Sequence, residues 1–303
     1  MFKKVTKKGL SLALSAVLAV GLLAGCGGKE PAGNAGANPS PSPTATAQAN
    51  EPDKNPEISG MVTSSGSTAL LPLVKQAADD FMAKHEKVTI NVTGGGSGTG
   101  VKNVADGTSH IGNSDVEADE QYKDILVDHI VAIAPFALIV HKDVTVDNLT
   151  KQQAADIYMG KITNWKEVGG EDKPIVLVHR QDSSGSRKII RKLILDGQEF
   201  SKEGVTQDSS KTVVEAVAST EASIGYVDTP YLNDQVKALK IDGVAFSKET
   251  IKDGTYKLYG EEHMYTKGQP EGATKAFLDY IMSDEFQNEK VEKLGFLPAN
   301  LLK

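Results

Sequence analysis

Cysteine is almost absent from this 303-residue chain: Cys26 is the single one. No disulfide can close within the chain, and no Cys/His spacing suits a metal. The six histidines (85, 110, 129, 141, 179 and 263) are scattered, with no pair at helical ligand spacing, so neither a metal centre nor a cofactor is expected. A basic stripe is lacking as well. The net charge is −7, and setting aside the four lysines of the first 25 residues leaves −11 for the remainder. Nothing there would neutralise a phosphate backbone, which argues against a nucleic-acid partner. A small oxyanion stays compatible, because local dipoles and hydrogen bonds can hold one in a protein of negative overall charge. Nucleotide signatures are missing too. The glycine-rich run from Gly94 to Gly100 has neither the Lys-Ser/Thr ending of a P-loop nor the spacing of a dinucleotide fingerprint. No Gly-x-Ser-x-Gly elbow frames Ser184 as a nucleophile, so no catalytic residue is assigned. No internal sequence repeat is seen.

What is present begins with a leader. Lys3, Lys4, Lys7 and Lys8 precede an apolar stretch from Leu10 to Leu23, too short for a comfortable membrane span and suited to a signal peptide over residues 1–25. It closes on Leu23-Ala24-Gly25-Cys26-Gly27, which looks like a bacterial lipobox. That resemblance implies cleavage before Cys26 and its lipidation; a plain signal peptide with an incidental cysteine is the alternative. Residues 26–57 are dominated by Gly, Ala, Asn, Pro, Ser and Thr. Such a segment cannot bury a core, so a disordered tether with a reach of about 30 Å is expected behind the lipid anchor.

From Ile58 onward, strand-like and helix-like periodicities alternate. Gly60–Thr63 reads as a strand, followed by a small polar turn and a helix whose apolar face runs from Leu70 to Phe81, with Pro72 in its first turn. Val88–Val92 is a strand entering the glycine run, with a short helix expected from Val101. Ile111–Asp115 is a further short strand. Ile130–Val140 is a long apolar run that Pro135 should break, and it is read as the passage from one lobe to another. Lys151–Tyr158 and Val213–Ala218 are helical, Ser223–Val227 is a strand, and Tyr256–Tyr265 is extended and returns the chain. Ala273–Met282 and Glu285–Leu294 are closing helices. Trp165 and Tyr226 are assigned to packing.

The most informative stretch is His179-Arg180-Gln181-Asp182-Ser183-Ser184-Gly185-Ser186-Arg187. It follows the β-rich run Ile175–Val178 and precedes Ile189, Ile190, Leu193 and Ile194, spaced for one helix face. A strand therefore ends, a small-residue turn follows, and a helix starts near Ser184. Unpaired N–H groups at a helix start, hydroxyls at Ser184 and Ser186, close approach at Gly185 and the planar fork of Arg180 together describe an oxyanion site. An N-capped helix beside a surface arginine is the plainer alternative. Several such turns at strand ends would meet at one edge of an open α/β sheet.

In order along residues 58–303, Gly66-Ser67-Thr68, Gly96-Ser97-Gly98-Thr99-Gly100, Ile111-Gly112-Asn113-Ser114-Asp115, Ile157 to Trp165, Arg180 to Ser186 and Ile224-Gly225-Tyr226-Val227 resemble the phosphate-binding proteins of bacterial phosphate ABC transporters. The resemblance implies an α/β, two-lobed periplasmic-binding-protein fold of type II, closing on one phosphate between lobe 1 (residues 58–138 plus 258–303) and lobe 2 (139–257). It implies donors at Thr68, the backbone of Ala69, Ser97, Ser184, Gly185 and Ser186. Arg180 would pair with the anion, Asp115 would accept a proton from it, and Asp182 would hold Arg180 in place. Many members carry Thr where Ser186 stands, which keeps the hydroxyl. The implied partners are inorganic phosphate, the permease and ATPase subunits of an ABC importer, and the membrane through Cys26. The implied location is the extracellular face of the cytoplasmic membrane.

Asp115 looks out of place in an anion site unless the anion brings a proton. Phosphate near neutrality carries one or two protons and sulfate none. An acceptor left without a donor in a dry cleft costs about 1–3 kcal/mol, more if charged. Asp115 would thus select phosphate over sulfate; an ordinary turn or capping aspartate is the alternative. Binding of another oxyanion, such as sulfate or molybdate, is the nearest rival function, and a secreted phosphate-ester hydrolase is a further one.

Overall fold

In the computed structural model, residues 57–302 are described. The signal peptide, Cys26 and the tether up to residue 56 lie outside the described residues. Among the described residues, no helix is long and apolar enough to cross a membrane.

The first elements are strand β1 (Gly60–Gly66), helix α1 (Leu71–Lys84), β2 (Val88–Thr93), α2 (Ser97–Asp106), β3 (Ile111–Ser114) and the long β4 (Leu126–His141). Then follow β5 (Asn148–Leu149), α3 (Lys151–Tyr158), β6 (Val176–Arg180), α4 (Gly185–Leu193), β7 (Val205–Gln207), α5 (Ser210–Ser219) and β8 (Ser223–Asp228). The chain closes through β9 (Val236–Ala238), β10 (Lys240–Ile241), α6 (Lys248–Lys252), β11 (Tyr259–Lys267), α7 (Gly272–Ile281), α8 (Asp284–Glu289) and β12 (Leu297–Pro298).

One sheet runs in the order β2-β1-β3-β11-β4-β8-β6-β7, with β9 and β12 also on β4. β1 pairs in parallel with β2 and β3, and β6 with β7 and β8. Between these parallel sets run the antiparallel strands β11 and β4. The fold is therefore α/β, with two parallel sub-sheets joined by two long strands. β4, although antiparallel to all its neighbours, is central in the sheet and buried without interruption from Val131 to Val140.

Pro135 does not break β4. It is the residue at which β4 exchanges partners: Tyr259 of β11 is opposite Pro135, and Asp228 of β8 is opposite Phe136. A proline with no N–H to donate costs a sheet least where the ladder changes hands. α2 starts four residues before the expected Val101, inside the glycine run. Gly96, at φ +88°, turns the chain so that Ser97 is already helical. The closing helix expected over Glu285–Leu294 is instead α8 followed by a separate 3-10 turn, Glu292–Leu294, that ends on Gly295 in the left-handed region.

Local capping explains several starts. Thr150 and Gln153 form a reciprocal capping box for α3, Ser209 and Thr212 do so for α5, and Ser184 Oγ accepts from Arg187 N at the start of α4. Tertiary packing fixes the rest. Phe81 of α1 meets Phe277 of α7 edge-on, and Trp165 is 2% exposed with Nε1 donating to the Ala222 carbonyl at 2.8 Å. Trp165→Ala should therefore lower unfolding stability by about 3–5 kcal/mol, read by urea denaturation. A loss below about 1 kcal/mol would mean that this packing is not needed.

Candidate oxyanion-binding site

The carboxyl ends of the parallel strands bring their turns to one place. The turn after β1 carries Ser67, Thr68 and Ala69; α2 opens with Ser97; Asp115 follows β3. From the other sub-sheet come Arg180 at the end of β6, the start of α4, and Ser210 at the start of α5. The starts of α1, α2, α4 and α5 thus lie at this edge, each carrying the partial positive charge of a helix N-terminus.

Arg180 is 3% exposed. Its Nη2 donates to Thr68 Oγ1 at 3.1 Å and the Asp208 carbonyl at 3.2 Å, and Nη1 donates to Ser210 Oγ at 3.3 Å and Ser186 Oγ at 3.5 Å. Its backbone N–H donates to Tyr226 Oη at 3.0 Å. No carboxylate is among these partners, and among the described residues Nε has none. A buried guanidinium held by neutral groups with one N–H to spare is poised for an anion.

Asp115 is 3% exposed. Ser67 Oγ donates to its Oδ1 in a short contact, and Ser186 Oγ donates to Oδ2 at 3.2 Å. Its backbone N–H donates to Ser97 Oγ at 3.0 Å. Burial pushes Asp115 above the usual carboxylate range, while Ser67, the charge of Arg180, Ser186 and a contact with Glu262 pull it back. The two sub-sheets meet here. Gly98 N donates to the Ser183 carbonyl at 2.9 Å, and Tyr231 Oη donates to the Thr68 carbonyl at 2.7 Å. A Cβ on Gly185 would stand 2.2 Å from Ser97 Oγ and 2.7 Å from Asp115 Oδ2, so only glycine permits this approach.

The structure thus assembles Thr68, Ala69, Ser97, Asp115, Arg180, Ser184, Gly185 and Ser186 at one buried locus. Asp182 is a correction. Its side chain is 98% exposed and pairs with Arg187 Nε at 3.2 Å, not with Arg180. The turn after β6 carries it outward, and Thr68, Ser210 and the Asp208 carbonyl hold the guanidinium instead. His179 alternates away from Arg180, with Nε2 2.9 Å from the Glu203 carbonyl oxygen. Tyr226 is core, as expected, but its hydroxyl also supports the Arg180 backbone.

Sequence reasoning missed Ser67, Ser210, Asp228 and Glu262. One signal was available for Ser210: Gln-Asp-Ser-Ser occurs at 181–184 and again at 207–210, each time between a strand end and a helix start. Asp228 and Glu262 are fully buried, and among the described residues their carboxylate oxygens receive no hydrogen bonds. Burial, with the charge of Asp115 adding to it, pushes Asp228 up to about 7 and Glu262 well above the carboxylate range. Among the described residues no cluster suits a metal ion.

Comparison with known proteins bears on this site. Residues 38–285 match the model of the PBP superfamily domain. The chain is 44% identical over 249 residues to the phosphate-binding protein PstS of Bacillus subtilis, covering 81% of this chain and 83% of that one. The chain belongs to the phosphate-binding protein family. A substrate-binding protein of Clostridium perfringens, solved with bound phosphate, superposes with a TM-score of 0.75 at 34% identity, over 79% of this chain and 99% of that one. A phosphate transport receptor of Vibrio cholerae, at 24% identity and a TM-score of 0.66 over 78% of this chain and 99% of that one, shares the fold. The fold of this family member is that of the periplasmic binding proteins.

Two outcomes follow from the geometry. Gly185→Ala should weaken oxyanion binding at least about tenfold, since a clash that costs ~1.4 kcal/mol is enough for that factor; unchanged affinity by calorimetry would mean that the sub-sheets need not approach this closely. Asp228, at about 7 in the folded state, keeps a proton that the unfolded chain releases near 3.8. Its contribution to stability therefore falls as pH rises between those values and stays low above them. Asp228→Asn should raise thermal stability at alkaline pH, by up to about 4 kcal/mol, with a gain that shrinks through the acid range and vanishes near the unfolded-state value of 3.8. An equal gain across that whole range would contradict the buried-acid account.

Proposed function

We propose that this protein captures inorganic phosphate outside the cytoplasmic membrane and delivers it to an ABC importer. The observation that carries the reading is the buried fork of Arg180, set among hydroxyls and helix starts with an acceptor, Asp115, linked to it through Ser186 Oγ. A monoprotonated or diprotonated phosphate supplies what each group wants: oxygens for Arg180, Thr68, Ser97 and Ser186, and an O–H for Asp115. Sulfate supplies the first and not the second. The family, and the bound phosphate of the Clostridium perfringens relative, support the same ligand.

In this reading lobe 1 is 58–138 plus 258–303 and lobe 2 is 139–257, a division that the two parallel sub-sheets support, and closure is a hinge motion across β4 and β11. Thr68, the Ala69 backbone, Ser97, Ser184, Gly185 and Ser186 are the donors. Lipidation at Cys26 and the tether behind it keep the protein at the extracellular face of the cytoplasmic membrane, where the permease and ATPase subunits of the importer are its partners. We read the protein as a binder and not an enzyme. Ser184 Oγ is engaged in capping its own helix, and His179 faces the Glu203 carbonyl, so these two do not form a nucleophile–base pair.

Titration calorimetry with phosphate and with sulfate tests this. Phosphate should bind and sulfate should not compete at similar concentration. Arg180→Ala should weaken phosphate binding by about a hundredfold or more, as expected for losing charged hydrogen bonds of ~1.5–3 kcal/mol each. Asp115→Asn should narrow the preference for phosphate over sulfate. Preferential sulfate binding by the unmodified protein would move the ligand to another oxyanion.

A further inference from the structure

Glu262 has no part in the phosphate reading so far, yet it is completely buried at the site. β11 pairs with β3 so that Met264 is opposite Asn113 and His263, the last paired residue, is opposite Ser114; Glu262 and Asp115 are the next residues on either side. Gly260, two residues earlier on the same face of β11, approaches the Asp115 carbonyl so closely that a Cβ there would lie 3.0 Å from its oxygen. The pairing with β4 shifts register between Glu262 and His263, leaving Val131 of β4 as the extra residue; such irregularities are frequent beside binding sites. On that side β4 presents Ala132, an apolar neighbour.

Among the described residues, neither carboxylate oxygen of Glu262 receives a hydrogen bond. Two ionised carboxylates in contact would both be acceptors and would repel; one proton turns the contact into a hydrogen bond. The location of that proton follows from the surroundings. Asp115 has Ser67, Ser186 and the charge of Arg180 favouring its ionised form. Glu262 has none of these. The other charged group facing it is Asp228, at the end of β8, whose negative form would only disfavour ionisation further.

We propose that Glu262, resting on the phosphate reading above, is a positioning residue that determines specificity: protonated, it donates to Asp115 and keeps Asp115 an acceptor. Asp115 held in this form demands a proton on the incoming oxyanion. Without the donor, Asp115 takes up a proton more readily and can itself donate, which admits an oxyanion that carries none. Loss of the Glu262 proton would set two negative charges against each other beside the anion, and binding would weaken.

The test compares phosphate and sulfate affinities of the full-length protein with those of Glu262→Gln and Glu262→Leu. The amide of Gln can still donate, so Glu262→Gln should keep the phosphate-to-sulfate ratio within about threefold at neutral pH, whereas Glu262→Leu should reduce it at least about tenfold. Glu262→Gln should also hold its phosphate affinity better than the unmodified protein as the solution is made alkaline. A folded Glu262→Leu protein with unchanged selectivity overturns the role of Glu262 alone. Should that variant not fold, the Gln variant decides, and an alkaline profile parallel to the unmodified protein overturns the role. Absence of phosphate binding by the unmodified protein overturns both this role and the reading beneath it.

Discussion

The site depends on one constraint: a guanidinium taken out of water without a carboxylate to pair it. Burying a charge costs several kcal/mol unless it is well solvated by the protein, and Arg180 is solvated by Thr68, Ser186, Ser210 and a carbonyl. Those groups come from both sub-sheets, so the arginine ties them together. The starts of α1, α2, α4 and α5 add positive potential at the same edge. An anion is the natural complement, and the geometry that holds Arg180 is the geometry that creates the demand for one.

The acidic side of the site is governed by the same accounting. Asp115, Asp228 and Glu262 are all buried. Three negative charges around one arginine would repel any anion. Protonation of Asp228 and Glu262, which burial favours, leaves Arg180 and Asp115 as the charged pair. On the proposed reading, such a site recognises both the charge of an oxyanion and the proton it carries. Overall acidity of the chain is no obstacle, because recognition is decided by groups that solvent does not reach.

Much of this was legible locally. The limits of α3 follow from its capping box and apolar spacing, and the Arg180 stretch announces itself because strand end, small turn and helix start lie side by side in the chain. What local pattern could not supply is direction and register. Asp182 is two residues from Arg180 and still points to solvent, because the turn rotates it away. Pro135 looks like a break until the change of strand partners at that residue is known. Glu262 sits in an extended segment that reads as ordinary returning strand; only the antiparallel register with β3 places it against Asp115. Ser210 was within reach, through the recurrence of Gln-Asp-Ser-Ser, but its role needs the two sub-sheets in contact.

The central claim, that the spare N–H of the buried arginine is completed by an oxyanion, is tested most directly by the crystal structure of the protein grown with phosphate. The account predicts one tetrahedral anion against Arg180, its oxygens at about 2.7–2.9 Å from guanidinium nitrogens, with Asp115 on the protonated side. Phosphate bound elsewhere, with Arg180 still held only by Thr68, Ser186, Ser210 and Asp208, would contradict it.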